Sequence, residues 1–345
     1  MRAVTIVPRR PGSLRLDDVP EPRPGQGVLV QALAVGICGT DRELIAGVYG
    51  EAAAGEERLV LGHESLGRVL SAPAGSGLAP GDHVVGIVRH ADPVPCAQCA
   101  AGEWDMCTNG LYTEHGIKGL NGFASQYWVL EEKLFVKVEK HLGIAAVLLE
   151  PASVLAKAWE HIEAIGKRAT WTPKRVLVTG AGPVGLLAAL MGRQRGLEVH
   201  VMDHNDSGPK PRLVADLGCR YFSSAKPAGT YDISIECTGA PAVIRAVLER
   251  AGPNSITCLV GLSAVASEVR LEVAPFNQST VLDNRVVFGS VNANRRHYRA
   301  AAEALARADR GWLDGLITRR VPLERFEQAY EPRRGDVKTV LAFAD

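Results

Sequence analysis

The chain has 345 residues, enough to bury a sizeable core and, by length alone, to form two domains. Lysine and arginine number 39 against 38 aspartate and glutamate, which gives a formal net charge of +1. No excess of charge favours nucleic acid or an acidic membrane surface as a partner, so a small-molecule partner is expected.

The cysteines and the apolar runs predict where the protein resides. No stretch approaches the roughly 18 uninterrupted apolar residues of a membrane span, and the N-terminus lacks the basic-then-apolar order of a secretion signal. The seven cysteines are an odd number, and Cys96, Cys99 and Cys107 are bunched. We therefore expect an untargeted cytoplasmic protein whose thiols are reduced and available for metal binding.

The N-terminal part of the chain favours short strands. Apolar runs at 28–35, 68–70, 84–88 and 123–130 are separated by glycine and proline turns. Between them, residues 89–109 show little periodicity and predict an irregular, cysteine-rich lobe. A loop of that length inside a compact domain needs something to order it.

Two segments of this part carry side chains that suit a metal. Cys38 stands between glycines, and His63 and Glu64 directly follow Gly62. Thiolate, imidazole and carboxylate groups are all zinc ligands. Each segment alone also has an ordinary interpretation, as a buried apolar cysteine and as a solvated turn.

The apolar spacing changes to a helical period near Gly143. Pro151 interrupts this pattern, so a helix is predicted to end or kink near Glu150, with a second helix to about Ile165. We place a domain boundary here, with residues 1–150 in the first domain and the second domain starting at residue 151.

A glycine-rich turn follows the predicted strand 175–179 and precedes a predicted helix. The turn comprises Gly180, Ala181, Gly182, Pro183, Val184 and Gly185. In a strand-turn-helix context this spacing predicts a dinucleotide site, because its glycines permit a tight turn, close approach to the pyrophosphate and close helix packing. The alternative is a packing loop without a ligand.

Asp203 lies at the end of the next predicted strand, about twenty residues after the turn. Its carboxylate can accept hydrogen bonds from both hydroxyls of an adenosine ribose and would repel a 2′-phosphate, which favours NAD over NADP. His204, Lys210 and Arg212 are close in sequence and could tolerate a phosphate, so NADP remains an alternative.

Strands and helices then alternate. Strands predicted at 231–237, 255–261 and 285–290, with a helix at 241–251, indicate a doubly wound parallel sheet and an α/β fold. Three cysteines in these elements are predicted to be buried packing residues: Cys219, Cys237 and Cys258. A helix over 296–308 follows, and the chain ends on a predicted strand, 339–343.

Taken together, these motifs resemble those of the zinc-dependent medium-chain alcohol and polyol dehydrogenases over nearly the whole chain. Segments 114–119, 208–211 and 291–297 are most similar to the glucose 1-dehydrogenase branch. The resemblance implies a GroES-like β domain and a Rossmann domain with a cleft between them. It also implies that residues of about 300–345 return to the first domain, which leaves 151–299 as the nucleotide-binding domain.

The resemblance further implies a catalytic zinc ion held by Cys38, His63 and Glu150, with Glu64 either bound to zinc or exchanging with water. Zinc lowers the pKa of a bound hydroxyl, which prepares it for oxidation. Thr40 resembles the proton-relay hydroxyl of the family; its ordinary alternative is a local hydrogen bond in the turn.

Three further positions resemble substrate contacts of the family. Glu114, Asn292 and His297 match positions that contact the sugar, and Asn292 also matches one beside the nicotinamide. Buried polar partners allow such a site to reject deoxy analogues. The alternative for Glu114 and His297 is that they are exposed and solvated.

The lobe departs from the family pattern of four cysteines spaced C-x2-C-x2-C-x7-C. Cys96, Cys99 and Cys107 fit the last three positions, but the first falls on Pro93, which cannot bind a metal. Asp92 is the predicted substitute in a second, structural zinc site. A zinc-free lobe ordered by oligomer contacts is the alternative.

The implied activity is zinc-dependent transfer of hydride from C1 of a glucose-like aldose to NAD(P), which gives an aldonolactone. Alternatives within the family are another polyol, a secondary alcohol or threonine. A different class, a non-catalytic nucleotide-binding redox sensor, would respond to oxidant through its lobe cysteines. The resemblance also implies a homodimer or homotetramer.

Overall fold

The computed structural model describes residues 1–23, 25, 27–223, 229–263 and 268–343. The chain forms two compact units, Met1–Ser153 with Asn292–Asp345, and Val154–Val291. The domain limits at residues 150 and 300 remain predictions, and residues 344 and 345 lie outside the described part.

The first unit is mostly β-structure. Its strands before the second unit are β1 (Arg2–Ile6), β2 (Arg15–Asp18), β3 (Val28–Ile37), β4 (Leu59–Val60), β5 (Glu64–Ser71), β6 (His83–Gly86), β7 (Arg89–His90), β8 (Thr113–His115), β9 (Gly119–Leu120), β10 (Tyr127–Leu130) and β11 (Phe135–Val138). Its helices here are α1 (Gly39–Ile45) and α2 (Ala97–Ala100), with 3-10 helices at Trp104–Met106, Glu132–Leu134 and Lys140–Leu148. The strand predicted over 123–130 is shorter than expected, because regular pairing with β3 begins only at Tyr127.

A 3-10 helix ends at Leu148 and α3 (Leu149–Gly166) begins directly after it, so the structure agrees with the predicted helix boundary near Glu150 and with the predicted second helix to about Ile165. α3 begins just before Pro151, which therefore lies in the first helical turn. A proline is tolerated there, because its missing N–H would have no partner within the helix. Lys140–Gly166 is long and apolar enough to cross a membrane, but 78% of its apolar window is buried inside the folded chain, as in a core helix.

The second unit alternates strands and helices. Its elements are β12 (Arg175–Thr179), α4 (Pro183–Gln194), β13 (Glu198–Met202), α5 (Pro209–Asp216), β14 (Arg220–Phe222), β15 (Tyr231–Glu236), α6 (Pro241–Glu249), β16 (Ala251–Leu259), α7 (Val273–Leu282) and β17 (Val286–Gly289). All its strands pair in parallel in the order β14-β13-β12-β15-β16-β17. This confirms the predicted doubly wound sheet. Cys219 and Cys258 are buried as predicted, whereas Cys237 is only partly buried.

After Val291 the chain returns to the first unit. The returning elements are α8 (Arg295–Ala306), α9 (Arg310–Leu316), β18 (Ile317–Pro322), a 3-10 helix at Leu323–Arg325, α10 (Glu327–Tyr330) and β19 (Lys338–Ala342). β19 enters a seven-stranded sheet of order β11-β6-β5-β3-β19-β18, with β10 also on β3. Gly36 of β3 lies opposite Glu64, and Ile37 lies opposite Thr339. This register brings the ends of β3, β5 and β19 together.

Candidate functional site

Three side chains form a compact group of metal donors in the first unit. The donor atoms of Cys38, His63 and Glu64 all lie within 4.8 Å of one another. Cys38 is placed by the end of β3, and His63 follows Gly62, whose φ is +88°. A Cβ atom on Gly62 would approach the Val35 side chain to 2.8 Å, so glycine is required where the chain turns.

Asp41 supports this group, and the sequence analysis did not identify it. Its Oδ2 accepts a hydrogen bond from the Cys38 backbone at 2.8 Å, and its Oδ1 lies 3.5 Å from His63 Nδ1. Burial alone would lower the pKa of His63, but the Asp41 carboxylate and the Cys38 thiol raise it well above its usual range. Because Nδ1 faces Asp41, Nε2 is left for a metal.

Glu64 is held in a buried ion pair with Lys338, another residue that the sequence analysis missed. Lys338 Nζ lies 2.7 and 2.6 Å from the two Glu64 oxygens and donates to the Ile37 carbonyl at 3.2 Å. Burial would lower the pKa of Lys338, but Glu64 raises it on balance. A Cβ atom on Gly36 would lie 2.1 Å from Glu64 Oε2, so this glycine makes room for the carboxylate.

Glu150 lies in the first turn of α3 and is buried. Its carboxylate is not one of the three donors that cluster within 4.8 Å among the described residues. Burial raises its pKa to about 7; the charge of His63 opposes this rise and that of Glu64 adds to it, so Glu150 shares their electrostatic environment. Its assignment as a zinc ligand remains a prediction.

Thr40 begins a short chain of hydroxyl and carboxylate groups. Its side chain is close enough to Tyr49 to oppose the rise in the pKa of that hydroxyl, which donates to Glu43 Oε2 at 3.0 Å. Burial, together with the charges of Glu43 and Cys38, raises the pKa of Tyr49. The sequence analysis identified only Thr40, because neither Tyr49 nor Glu43 belongs to a recognised motif.

Two of the predicted sugar contacts lie together. Glu114 Oε1 accepts hydrogen bonds from Arg89 Nε at 3.0 Å and from Asn292 Nδ2 at 2.8 Å, and the second Arg89 contact, from Nη2, is also 3.0 Å. The Arg89 guanidinium in turn lies 3.7 Å from the centre of the Tyr112 ring. Glu114 is thus buried and oriented rather than solvated, and Arg89 is a further residue that the sequence analysis missed.

The third predicted sugar contact, His297, is also buried, with 1% of its surface exposed. It lies in the first turn of α8, where its Nδ1 accepts a hydrogen bond from the Asn294 backbone at 3.1 Å. The ring proton must then be on Nε2. Asn294 donates in turn to Asp105 at 2.8 Å, which ties this helix to the lobe.

The lobe brings its three thiols together as a second group. The sulfur atoms of Cys96, Cys99 and Cys107 lie within 4.8 Å of one another. Hydrogen bonds from the backbone of Cys99 and Thr108 lower the pKa of Cys96 to about 6, whereas burial raises that of Cys99 to about 11.

The carboxylate of Asp92 is used within the loop. It accepts hydrogen bonds from the backbone of Val94 at 2.8 Å and from the side chain of Asn109. In this conformation Asp92 is not one of the clustered metal donors among the described residues. Its role as a substitute zinc ligand remains a prediction.

The glycine-rich turn in the second unit has the geometry that a dinucleotide phosphate needs. Gly180 has a φ of +87°, and a Cβ atom on Gly185 would lie 1.8 Å from the Gly180 carbonyl oxygen. A Cβ atom on Gly182 would meet nothing within 4 Å, so the backbone there is open to a ligand. Pro183 and Val184 start α4, whose free N-terminal amides suit a phosphate.

Asp203 follows β13 but has four protein donors. Its Oδ2 accepts from the Ala181 backbone at 2.7 Å and from Lys210 Nζ at 3.1 Å, and its Oδ1 accepts from the backbone and side-chain amides of Asn205. Burial would raise the pKa of Asp203, but these hydrogen bonds lower it to about 2. The expectation that both oxygens are available to a ribose is not met in this conformation.

Burial of His115, next to Glu114 in the sequence, makes the free energy of unfolding depend on pH. Its Nδ1 donates to the Asn121 carbonyl at 2.6 Å, so its Nε2 accepts from His90 at 3.0 Å. Burial, and then the charge of His90, lowers the pKa of His115 to about 3. An unfolded histidine titrates near pH 6.5, so stability is complete above that pH and falls as the pH drops toward 3.

We therefore expect the free energy of unfolding to fall by about 2 kcal/mol between pH 7 and pH 5 because of this residue. Urea unfolding should show that this part of the loss is absent in His115→Gln. The variant of an exposed histidine, His141→Gln, is the control and should retain the wild-type loss. An equal loss in His115→Gln and wild type would contradict the assignment.

Comparison with known proteins covers nearly the whole chain. Residues 24–140 match the profile of the alcohol dehydrogenase GroES-like domain, and residues 143–343 match that of the glucose dehydrogenase C-terminus. The chain is 42% identical to glucose 1-dehydrogenase of Thermoproteus tenax and 38% identical to that of Methanocella arvoryzae, with 99% of each chain covered.

Solved structures extend this likeness to three dimensions. Haloferax mediterranei glucose dehydrogenase in complex with NADP, Zn and gluconolactone is similar with a TM-score of 0.91 and 29% identity, over 100% of both chains. The predicted family is confirmed, as are the GroES-like and Rossmann-like folds. The chain belongs to the zinc-dependent medium-chain alcohol and polyol dehydrogenases, within their glucose 1-dehydrogenase branch.

Proposed function

We propose that the protein is a zinc-dependent glucose 1-dehydrogenase, which transfers a hydride from C1 of an aldose to NAD(P) and forms the aldonolactone. The observation that carries the proposal is the clustered group of thiol, imidazole and carboxylate formed by Cys38, which is partly exposed, and by His63 and Glu64, which are buried. The likeness to a glucose dehydrogenase with bound NADP, zinc and gluconolactone supports the same chemistry.

The donor set fits zinc, which accepts sulfur, nitrogen and oxygen ligands. Cys38, His63 and Glu150 would hold the ion, which when bound supplies the positive charge that lowers the pKa of a substrate hydroxyl. Asp41 Oδ1 lies 3.5 Å from His63 Nδ1, which would leave Nε2 as the nitrogen for the ion. Lys338 donates a hydrogen bond to Glu64. We propose that Glu64 either binds zinc directly or exchanges with water at the ion during turnover.

The sugar is proposed to bind Glu114, Asn292 and His297. Arg89 and Asn292 donate to the same oxygen of Glu114, which fixes the direction in which its carboxylate accepts a sugar hydroxyl. His297 would present its Nε2 proton to a sugar oxygen, since Nδ1 is already an acceptor. A substrate lacking a bound hydroxyl would leave such buried groups unpaired.

The proton released during oxidation is proposed to leave through Thr40. Tyr49 lies beside Thr40 and donates to the partly exposed Glu43, so the proposed path runs from the Thr40 hydroxyl through Tyr49 to Glu43. Each hydroxyl can accept one proton while it donates another, so the chain conducts a proton without a charged intermediate on Thr40.

Tyr49→Phe is expected to lower kcat by about a hundredfold, because the path from Thr40 to Glu43 is interrupted. The KM for the sugar should change little, and the solvent deuterium isotope effect on kcat should increase. Tyr127→Phe, on β10, is the matched control and should leave both quantities unchanged. An unaltered kcat in Tyr49→Phe would exclude this route.

The cofactor is proposed to bind the turn formed by Gly180, Gly182, Pro183, Val184 and Gly185, with Asp203 near the adenosine ribose. NAD is the proposed preferred cofactor, and NADP is accepted. We also propose that residues 151–299 form the nucleotide-binding domain, and that residues 1–150 with 300–345 form the catalytic domain.

A second, structural zinc ion is proposed for Cys96, Cys99 and Cys107, with Asp92 as the fourth ligand after its loop contacts rearrange. The clustered thiols support this site, because their sulfur atoms are already within reach of one cation. Metal analysis of the purified protein should then give two zinc ions per chain, and a value of one would remove this site.

The enzyme is proposed to be a cytoplasmic homodimer or homotetramer. Its seven cysteines are free, which supports a reducing compartment. Most of the exposed large apolar side chains in the described chain lie between residues 262 and 291, around the edge strand β17. Such a surface is typical of an interface. Light scattering that showed a monomer at micromolar concentration would contradict the oligomer.

A kinetic matrix of aldopyranoses against NAD and NADP tests the function. We expect glucose-like aldoses to give a sugar-dependent rise in reduced cofactor. Alditols, secondary alcohols and threonine in the same assay test the family alternatives. Cofactor binding without turnover on any of them would favour the redox sensor and reject the dehydrogenase.

A further inference from the structure

The groups around Asp203 affect how the second unit can distinguish NAD from NADP. A carboxylate offers about four acceptor positions, and Asp203 has four protein donors: two N–H groups from Asn205, one from Ala181 and one from Lys210. The two backbone amides are fixed by the chain. A ribose diol can therefore bind Asp203 only by displacing the side chain of Asn205 or of Lys210.

The charge of Asp203 is also balanced. Lys210 lies in the first turn of α5, its side chain is 15% exposed, and its ammonium group is 3.1 Å from the carboxylate, which is itself 4% exposed. An ammonium has three N–H donors, of which this contact needs one. The ion pair is neutral as a whole, so Asp203 no longer presents the uncompensated charge that repels a 2′-phosphate.

Resting on the proposed function, we infer that Lys210 determines the ratio of NADP to NAD use by this chain, because it neutralises Asp203 and donates to the 2′-phosphate of NADP. With NAD, the same ammonium releases Asp203, whose freed acceptor position takes a ribose hydroxyl. One residue thus serves both cofactors, and Asp203 alone does not exclude NADP.

The test measures nucleotide binding directly, by calorimetry of the full-length zinc-loaded protein with 2′,5′-ADP and 5′-AMP. These probes differ by the 2′-phosphate and need no turnover. The measured preference is the ratio of the affinity for 2′,5′-ADP to that for 5′-AMP. In Lys210→Met this ratio should fall by about tenfold or more, because the unpaired Asp203 then faces the phosphate. Arg212→Met, at an exposed position on the same helix, is the control and should change the preference by less.

A double variant separates charge from a purely structural effect. Lys210→Met combined with Asp203→Asn should recover part of the preference for 2′,5′-ADP, since the repelling carboxylate is gone. An unchanged preference in Lys210→Met, or a larger loss in Arg212→Met, would overturn the inference. If the protein distinguishes the probes through Lys210 but oxidises no sugar, the proposed function fails and the inference stands.

Discussion

Cys38→Ala is expected to remove one zinc ion per chain and to lower kcat/KM for the preferred aldose by about a thousandfold or more. Loss of the thiolate leaves His63 and the carboxylates to hold the ion, and the charge that activates the substrate hydroxyl is worth several kcal/mol. Steady-state kinetics together with metal analysis would measure both effects. The fold should survive, because Cys38 is partly exposed and caps a short helix rather than filling the core.

Cys96→Ala is the matched control, since it removes a thiol from the other group of clustered cysteines. It should lower zinc content and thermal stability while keeping kcat/KM within about a factor of three of wild type, because its effect is structural. Turnover by Cys38→Ala after a chelator has removed all zinc would show that the Cys38 group is not the catalytic site.

The pattern of the sequence predicted the kind of structure in each folding unit, whereas the return of the C-terminal residues to the first unit was implied only by the family resemblance. Alternating apolar residues indicated the strands of the first unit, and the glycine-rich turn between a strand and a helix indicated the parallel sheet of the second. Pro151 indicated the boundary between two helical segments but not the residue at which it falls. Its effect depends on whether it falls in the first turn or in the middle of a helix, and the apolar spacing did not fix where α3 begins.

Some of the side chains that contact the predicted ligands could have been predicted from the sequence, and others could not. Asp41 was within reach of sequence reasoning, because it lies three residues after Cys38, in the first turn of α1, where a carboxylate can cap a helix. Arg89 and Tyr49 had no such signal. Arg89 meets Glu114 only because β7 pairs with β8, and Tyr49 meets Thr40 only after the chain leaves α1 and turns back.

The contact between Lys338 and Glu64 could not be predicted from the sequence. Lys338 lies 274 residues from Glu64, and only the positions of β5 and β19 on the two sides of β3 bring the pair together. A lysine at the start of a C-terminal strand would ordinarily be expected at the surface. Likewise, Asp203 was correctly placed at a strand end, but its four donors come from the folded loop and from α5.

Lys338→Met is expected to lower the free energy of unfolding of the metal-free protein by about 3 to 5 kcal/mol, since it leaves the Glu64 carboxylate buried without its partner. The side chains of both residues are at most 2% exposed, so water cannot replace the lost contacts. Urea unfolding at pH 7 measures the loss. Lys137→Met, which breaks an ion pair with Asp82 whose lysine is 56% exposed, is the control and should cost at most about 1 kcal/mol.

Combining Lys338→Met with Glu64→Gln should recover much of that stability, because neither charge then remains buried alone. Repeating the measurement with zinc tests whether Glu64 can reach the metal. If it can, zinc will compensate the unpaired carboxylate, and Lys338→Met will cost less in the zinc-loaded protein than in the metal-free one. An equal cost in both would mean that Glu64 does not bind zinc even when it is released, and that Lys338 holds it for the stability of the sheet.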